Sequence, residues 1–177
     1  KEFPEDISNG CAYELLAEVY RQLKNLPQEQ TTLEQWIQRD NDALSAQLRL
    51  LEIYADQQNW QELARVAELT LAVNPLLTSP QQHLAAALTA MKQPQQSIPP
   101  LQALLVLDPR DPADVHYRLA RSLQETGKHS LARRHVLQAL EFAPRYRDAH
   151  RLLLELAKSS KPVEAAPKPP SPPGNNP

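Results

Sequence analysis

The chain of 177 residues carries 19 Lys and Arg against 21 Asp and Glu, with 3 Gly, 17 Pro and a single cysteine, Cys11. One cysteine excludes an internal disulfide framework and a structural zinc site built from cysteines, since both need several in the same chain. Three glycines are too few for phosphate-binding loops or for a sheet with many tight hairpins.

Charge and hydropathy exclude two classes of partner. Residues 1–100 contain 7 basic and 13 acidic side chains, and residues 101–177 contain 12 and 8. Neither part has the dense basic stripe typical of nucleic-acid binding, and no apolar run approaches the ~18 residues of a membrane span. We therefore expect no nucleic-acid and no membrane partner. Because the chain begins at Lys1 rather than Met, we expect a piece of a longer protein, which leaves its compartment unknown.

Similar segments recur along the chain. LAVNP, LLVLDP and LEFAP end at Pro75, Pro109 and Pro144, at spacings of 34 and 35 residues, and Asn41 has the same helix-ending context one step earlier. A fixed period of this length is typical of repeat architectures. The spacing predicts four units, at about residues 10–43, 44–77, 78–112 and 113–146.

Each unit carries two apolar series, and each series has the spacing of one helical face. The first is an apolar pair with a large residue four positions on: Leu16-Ala17 with Tyr20, Leu50-Leu51 with Tyr54, Leu84-Ala85 with Leu88, and Leu119-Ala120 with Leu123. The second fills the back half of each unit. Short polar stretches between the two series predict turns, where Gly127 suits a helix C-cap. Each unit is therefore predicted to be a helix hairpin.

This pattern resembles the tetratricopeptide repeat (TPR), whose 34-residue unit has small or apolar residues at positions 7, 8, 11, 20, 24 and 27 and proline at 32. The first unit departs from it with Glu29, Trp36 and Asn41 at positions 20, 27 and 32. The third carries Pro99 and Pro100, so we expect its second helix to start late, near Ser97, or to be kinked. The fourth matches best, with Leu119, Ala120, Leu123, Gly127, Ala132, Val136, Ala139 and Pro144 on positions 7, 8, 11, 15, 20, 24, 27 and 32.

The fold that the resemblance implies is an all-α, right-handed α-solenoid of four TPR helix hairpins plus a C-terminal capping helix. The array spans residues 10–158, and its cap at 147–158 is one more amphipathic stretch. Residues 1–9 are predicted to be a lead-in. Residues 159–177 are Pro-rich and are expected to be disordered; their PxxP-like spacing leaves a polyproline ligand as an alternative to a plain tail or linker.

No residue pattern indicates catalysis. None of the five histidines is followed by Glu, so the HExxH helix of metallopeptidases is not present, and no two histidines are four residues apart. Phosphate-binding, nucleophile-elbow and dinucleotide-binding motifs are likewise not found. We expect no enzyme activity, no metal site and no cofactor in this chain.

The TPR resemblance implies a concave surface lined by the first helix of each unit. We predict that this surface binds a peptide or a partner protein, as a non-catalytic interaction or scaffolding module. An acidic stretch or a carboxylate would lie along the arginines near its C-terminal end, with a tyrosine as aromatic anchor. The alternative is an ordinary solvated helix face. The candidate residues are Arg49, Glu52, His83, Tyr117, Arg118, Arg121 and Arg151.

Other interpretations stay open. The carboxylate-clamp pattern of TPR chaperone adaptors is not matched, which disfavours that role. The runs YELLAEVYRQLKN and LRLLEIYADQQNW also resemble the C-terminal repeat region of large bacterial zinc-metallopeptidase-like proteins. That resemblance implies an accessory region whose catalytic domain would lie upstream of Lys1. Homo-association is a further possibility, because no predicted helix covers the N-terminal end of the array, which bears Ile7 and Tyr13.

Overall fold

The structure, a computed structural model, describes residues 12–159, which form nine α-helices and no strand. Each helix contacts the next one along the chain. Four hairpins followed by a terminal helix result, which confirms the predicted all-α solenoid. The predicted lead-in, residues 1–9, lies outside the described residues. So does the predicted tail, residues 159–177, apart from Ser159, which is the last residue of α9. The helices are α1 (Ala12–Gln22), α2 (Leu26–Arg39), α3 (Leu44–Asp56), α4 (Trp60–Val73), α5 (Thr78–Ala90), α6 (Pro94–Val106), α7 (Pro112–Glu125), α8 (His129–Phe142) and α9 (Arg147–Ser159).

Each hairpin closes through the same backbone turn. The residue two positions before the second helix has a positive φ, from 55° at Gln58 to 75° at Gly127, with Lys24 and Lys92 between these values. In the fourth hairpin the N–H of Lys128 donates to the carbonyl of Leu123 at 2.8 Å, and the other three hairpins repeat this bond. This is the Schellman arrangement, which satisfies carbonyls at a helix end. The prediction of Gly127 as a C-cap is confirmed.

The second helix of the third unit corrects one expectation. It begins at Pro94, not near Ser97, and it runs through Pro99 and Pro100 as continuous α-helix. Pro94 stands in the first helical turn, where its missing N–H leaves no bond unmade. Pro99 and Pro100 remove two helical hydrogen bonds, but the carbonyls that lose them belong to residues 95–96, which are exposed. Because water can bind these carbonyls, the helix tolerates both prolines.

Two clusters of buried side chains form the core, and they meet at α5. The first contains side chains from α1 to α5, and the second contains side chains from α5 to α9. Leu84, Ala87 and Leu88 belong to the first cluster, whereas Ala85 belongs to the second. One helix therefore joins the two halves of the core.

The first unit differs from the others in how its first helix is covered. Leu50, Leu84 and Leu119 are at most 8 % exposed, but Leu16, their counterpart in α1, is 42 % exposed. In the other units the second helix of the preceding unit covers this leucine, and among the described helices none precedes α1.

In the described part of the chain, none of the helices combines the length and the apolar character that crossing a bilayer requires.

Candidate functional site

The predicted groove residues fall into two groups along the first helices of the units. Contacts join α3 to α5 and α7 to α9, so these helices lie side by side. Among residues 12–159, no hydrogen bond or ion pair joins one group to the other. One group is Arg49, Glu52 and His83 on α3 and α5; the second is Tyr117, Arg118, Arg121 and Arg151 on α7 and α9.

Arg49 is held by carboxylates on two sides. Its Nε donates to Glu29 Oε1 at 2.6 Å and its Nη2 to Glu29 Oε2 at 3.3 Å, which ties α3 to α2. Its Nη1 donates to Glu52 Oε2 at 2.8 Å. Because the Glu29 side chain is only 4 % exposed, water and salt screen this pair weakly. The hydrogen bond from Arg49 to Glu29 is the main cause that raises the pKa of Arg49 above its usual value. Arg49 is therefore a permanent cation whose guanidinium is already bonded to two carboxylates of the protein.

His83 lies beside this network on α5. Burial lowers the pKa of His83, and the charge of Glu52 partly opposes this effect. A neutral imidazole has one donor and one acceptor nitrogen. The N-terminal group thus offers a fixed ion pair with a partly buried neutral histidine next to it.

A pocket of about 460 Å³ opens between α1, α2 and α3. Glu29 and Arg49 form part of its wall, together with Leu15 and Trp36. The indole nitrogen of Trp36 is buried and has no hydrogen-bond partner in the described part of the chain. Glu29 and Trp36 were not among the predicted site residues. Their departure from the TPR pattern was nevertheless the signal, since both departures line the same pocket.

Tyr117, the predicted aromatic anchor, is half-buried and packs on another tyrosine. Its ring lies 4.9 Å from the ring of Tyr146, at an interplanar angle of 49°. The Tyr146 hydroxyl donates to Asp114 Oδ1 at 3.3 Å, and burial is the main cause that raises the pKa of Tyr146. The packing on Tyr146 leaves Tyr117 a fixed orientation and one face for further contact.

Within residues 12–159, the three arginines of the second group form ion pairs with carboxylates on their own helices. Arg118 lies 3.9 Å from Asp114, Arg121 lies 3.5 Å from Glu125, and Arg151 lies 3.1 Å from Asp148. Exposed pairs of this kind contribute about 0 to 1 kcal/mol. The predicted positive charge is therefore balanced locally, but by partners that are held loosely.

Arg118 and Arg121 also line a small cleft, about 70 Å³ in volume, against the third unit. Ser97 of α6 forms part of its wall. The Ser97 hydroxyl is already bonded, at 2.9 Å to the Pro94 carbonyl and at 2.7 Å to Ser122 Oγ.

Arg49 and Arg118 occupy the same place, the sixth residue, in the second and fourth units. The residue that pairs with Arg49 from the preceding unit is Glu29, and its counterpart facing Arg118 is Ser97. The same inter-unit junction therefore contains a buried carboxylate in one case and a small hydroxyl in the other.

One histidine pair lies outside the groove. His116 Nδ1 and His135 Nδ1 are 3.1 Å apart, so one ring donates and the other accepts. Burial is the first cause that lowers the pKa of each, and the neighbouring positive charge, His135 for His116 and Arg134 for His135, acts in the same direction. No group of three or more metal-ligating side chains comes together within residues 12–159.

Comparison with solved structures identifies the fold. YrrB, described as a TPR protein with an unusual peptide-binding site, matches with a TM-score of 0.72 and 18% identity, over 87% of this chain and 77% of that chain. The chain has the tetratricopeptide-repeat fold. The TPR array also matches MamA protein (TM-score 0.70, 16% identity, 82% of this chain and 79% of that chain) and MamA from residue 41 to the end from Desulfovibrio magneticus RS-1 (0.67, 16%, 82% and 82%).

Comparison with protein-family models and with curated protein sequences gives no match. The resemblance to zinc-metallopeptidase-like proteins is not shown by any of these comparisons. It stays a prediction, as does the expectation that this chain has no enzyme activity.

Proposed function

We propose that this TPR array is an interaction module that binds an extended acidic peptide segment on its concave face, with a carboxylate of the ligand at the cleft beside Arg118 and Arg121. The fold supports the general role, since YrrB shares it and is described as having a peptide-binding site. The observation that carries the proposal is the difference between two equivalent arginines.

The pair between Glu29 and Arg49 serves as an internal template for this contact. There a carboxylate from the neighbouring unit accepts two hydrogen bonds from the guanidinium, at 2.6 and 3.3 Å. At the equivalent junction Arg118 meets Ser97, which supplies no charge. A ligand carboxylate placed as Glu29 is placed would give Arg118 the bidentate partner that the protein gives Arg49.

The ion pairs of the C-terminal group are weak, so replacing their carboxylates by a ligand carboxylate costs little free energy. Releasing Arg118 from Asp114 at 3.9 Å, or Arg121 from Glu125 at 3.5 Å, gives up at most about 1 kcal/mol each. Arg151, which is more exposed, extends the positive face onto α9. Tyr117 presents a rigid ring edge beside both arginines, suited to an apolar side chain of the ligand.

Arg49, Glu52 and His83 have a different part in this proposal. The buried pair holds Arg49, so it supplies little free charge to a ligand. The pocket beside it has a wall that includes Leu15, Leu33 and Trp36, which suits an apolar side chain better than a carboxylate. The two ends of the groove therefore favour different chemical groups.

A display library of random peptides, selected against the full chain, tests the proposal. We expect the selected peptides to be enriched in Asp and Glu. Their affinity should fall at least tenfold for the double variant Arg118→Glu and Arg121→Glu, because two charge-assisted contacts become repulsive. Fluorescence anisotropy with a labelled selected peptide measures the change.

The matched control is the double variant Arg133→Glu and Arg134→Glu. It makes the same change in net charge on exposed residues of α8, away from the cleft. Equal affinity for the wild-type chain and the Arg118/Arg121 variant would overturn the proposal. Equal weakening by both double variants would do so as well, since it would reduce the effect to overall charge.

A further inference from the structure

α1 presents an apolar face that none of the described helices covers. Leu15, Leu16, Val19 and Leu23 are 62 %, 42 %, 48 % and 68 % exposed. Leu16 and Val19 stand one and four residues after Leu15, on one side of α1. Leu23, the first residue after α1, continues this side, because its N–H still donates to the Val19 carbonyl at 3.0 Å. These four residues are called the α1 end face below.

At the centre of this face, the counterparts of Leu16 and Val19 are buried in every later unit. The counterparts of Val19 are Ile53, Ala87 and Ser122, and each is at most 4 % exposed. In each case the second helix of the preceding unit covers the face, α2 on α3, α4 on α5 and α6 on α7. Three junctions within the array therefore show that a helix packs on this face.

The contacts of α2 on α3 define that element more closely. Besides its apolar core, α2 makes three polar contacts across the junction. Glu29 accepts from Arg49 at 2.6 Å, Glu34 accepts from the Tyr54 hydroxyl at 2.6 Å, and Gln30 accepts from the Gln57 side chain at 2.9 Å.

α1 keeps only one of these three polar counterparts. Leu15 matches Arg49 of α3, and Leu23 matches Gln57, the residue that follows α3. Tyr20 matches Tyr54, so a hydroxyl is retained. A helix on α1 thus meets leucine at both edges of the junction and one tyrosine hydroxyl between them.

We propose that the α1 end face binds an amphipathic helix, lying on α1 as α2 lies on α3. The helix has apolar side chains where α2 has Glu29 and Gln30, and it has a carboxylate where α2 has Glu34, to accept a hydrogen bond from Tyr20. Burial of the four aliphatic side chains drives the association, and the tyrosine hydroxyl sets its register.

A second copy of the chain fits this surface less well. All four second helices, α2, α4, α6 and α8, already pack on the first helix that follows them. Among the described residues, α9 has no later helix packed on it and exposes Leu154. It lacks the required pattern, however, because the residues five and four positions before its Glu155 are His150 and Arg151 and not an apolar pair. Pairing of two α1 helices would bring leucines together, but Glu18, a carboxylate of α1, is already bonded to Gln22 and Arg21 of its own helix.

The probe is a synthetic peptide with the sequence of residues 26–39, changed by Glu29→Leu and Gln30→Leu. We expect it to bind the full chain and to shift the amide resonances of residues 15–23 in ¹⁵N-resolved NMR spectra. A second peptide that also carries Glu34→Leu should bind several-fold more weakly, because the acceptor for Tyr20 is lost.

Two matched variants of the chain localise the contact. Leu16→Gln with Val19→Gln should weaken binding at least tenfold. Leu131→Gln with Leu137→Gln changes two leucines of α8 that are 46 % and 45 % exposed and should leave affinity unchanged. Circular dichroism of both variants checks that the helices are retained.

Three results would overturn the proposal: no shift at residues 15–23, equal binding to both variants, or equal binding of the two peptides. Sedimentation of the chain alone gives a fourth. A concentration-dependent dimer that Leu16→Gln with Val19→Gln abolishes would show that a second copy occupies the face instead.

Discussion

The first and fourth units are both helix hairpins, but they have different types of side chain at equivalent buried positions. At the positions where the fourth unit has the fully buried Ala132 and Ala139, the first has Glu29 and Trp36, which are 3% and 2% exposed. Where the fourth ends at Pro144, the first has Asn41, whose carbonyl accepts from the Gln47 side chain. The same hairpin thus tolerates a charge and a large ring when the next unit supplies partners for them.

The comparison teaches that a departure from the repeat pattern can be a feature of the junction between units. Glu29 is tolerated because Arg49 is present on the following helix. A buried ion pair offsets its own desolvation only when geometry and hydrogen bonding are good. The pair therefore adds specificity to this junction more than net stability, and it forms part of the wall of the pocket between α1, α2 and α3.

The largest effect is expected when the fourth unit is given the buried carboxylate of the first. Ala132→Glu places a carboxylate in a cluster with Val136, Leu152 and Leu156. We expect a loss of more than about 3 kcal/mol in the free energy of unfolding, because the charge is buried without a partner. Urea titration followed by circular dichroism measures it. Arg133→Glu, at the next, exposed position, should change stability by less than about 0.5 kcal/mol. A loss below 1 kcal/mol for Ala132→Glu would contradict our account.

A smaller loss of stability is expected when the buried carboxylate of the first unit is replaced by a neutral amide. Glu29→Gln keeps the shape of the side chain but leaves Arg49 with Glu52 alone. Breaking a fully buried pair costs about 3 to 5 kcal/mol; we expect about 2 kcal/mol here, because the Arg49 side chain is 31% exposed. The apolar pair Glu29→Leu with Arg49→Met should return to within about 1 kcal/mol of the wild type. Additive losses in the double variant would show that the two residues do not act as a pair.

The smallest expected effects come from the hairpin turns. Gly127→Ala should cost about 1 kcal/mol, because φ is +75° and an added Cβ meets no atom within 4 Å, so only backbone strain is involved. Lys24→Gly makes the reverse change in the first unit, where φ is 56°, and should stabilise by somewhat less, since glycine also makes the unfolded chain more flexible. Thermal unfolding of both variants gives the comparison. Shifts of equal sign would show that the two turns do not share the same constraint.

The repeat spacing and the apolar series were enough to predict the helix hairpins, because both can be read from the order of residues within a single unit and its neighbour. Gly127 was recognised as a C-cap for the same reason. Lys24, Gln58 and Lys92 could not be recognised, since their residue types do not favour a positive φ and only the repeated turn imposes it.

The candidate site was harder to predict. The sequence predicted a set of arginines for the groove, but not that Arg49 is already bound to Glu29, which lies 20 residues away on another helix. Nor did it indicate that the carbonyls left without a donor by Pro99 and Pro100 belong to exposed residues, 95–96. Both depend on where neighbouring helices and solvent lie, which no local pattern records.

The division of the core at α5 has a consequence for cooperativity. Leu84 and Ala85 are neighbours in the chain, yet they anchor different clusters. In a linear array, stability spreads only through contacts between neighbouring units. A partner bound at one end can therefore protect the other end from unfolding only as long as α5 stays helical. If α5 unfolds, the two halves of the array unfold independently.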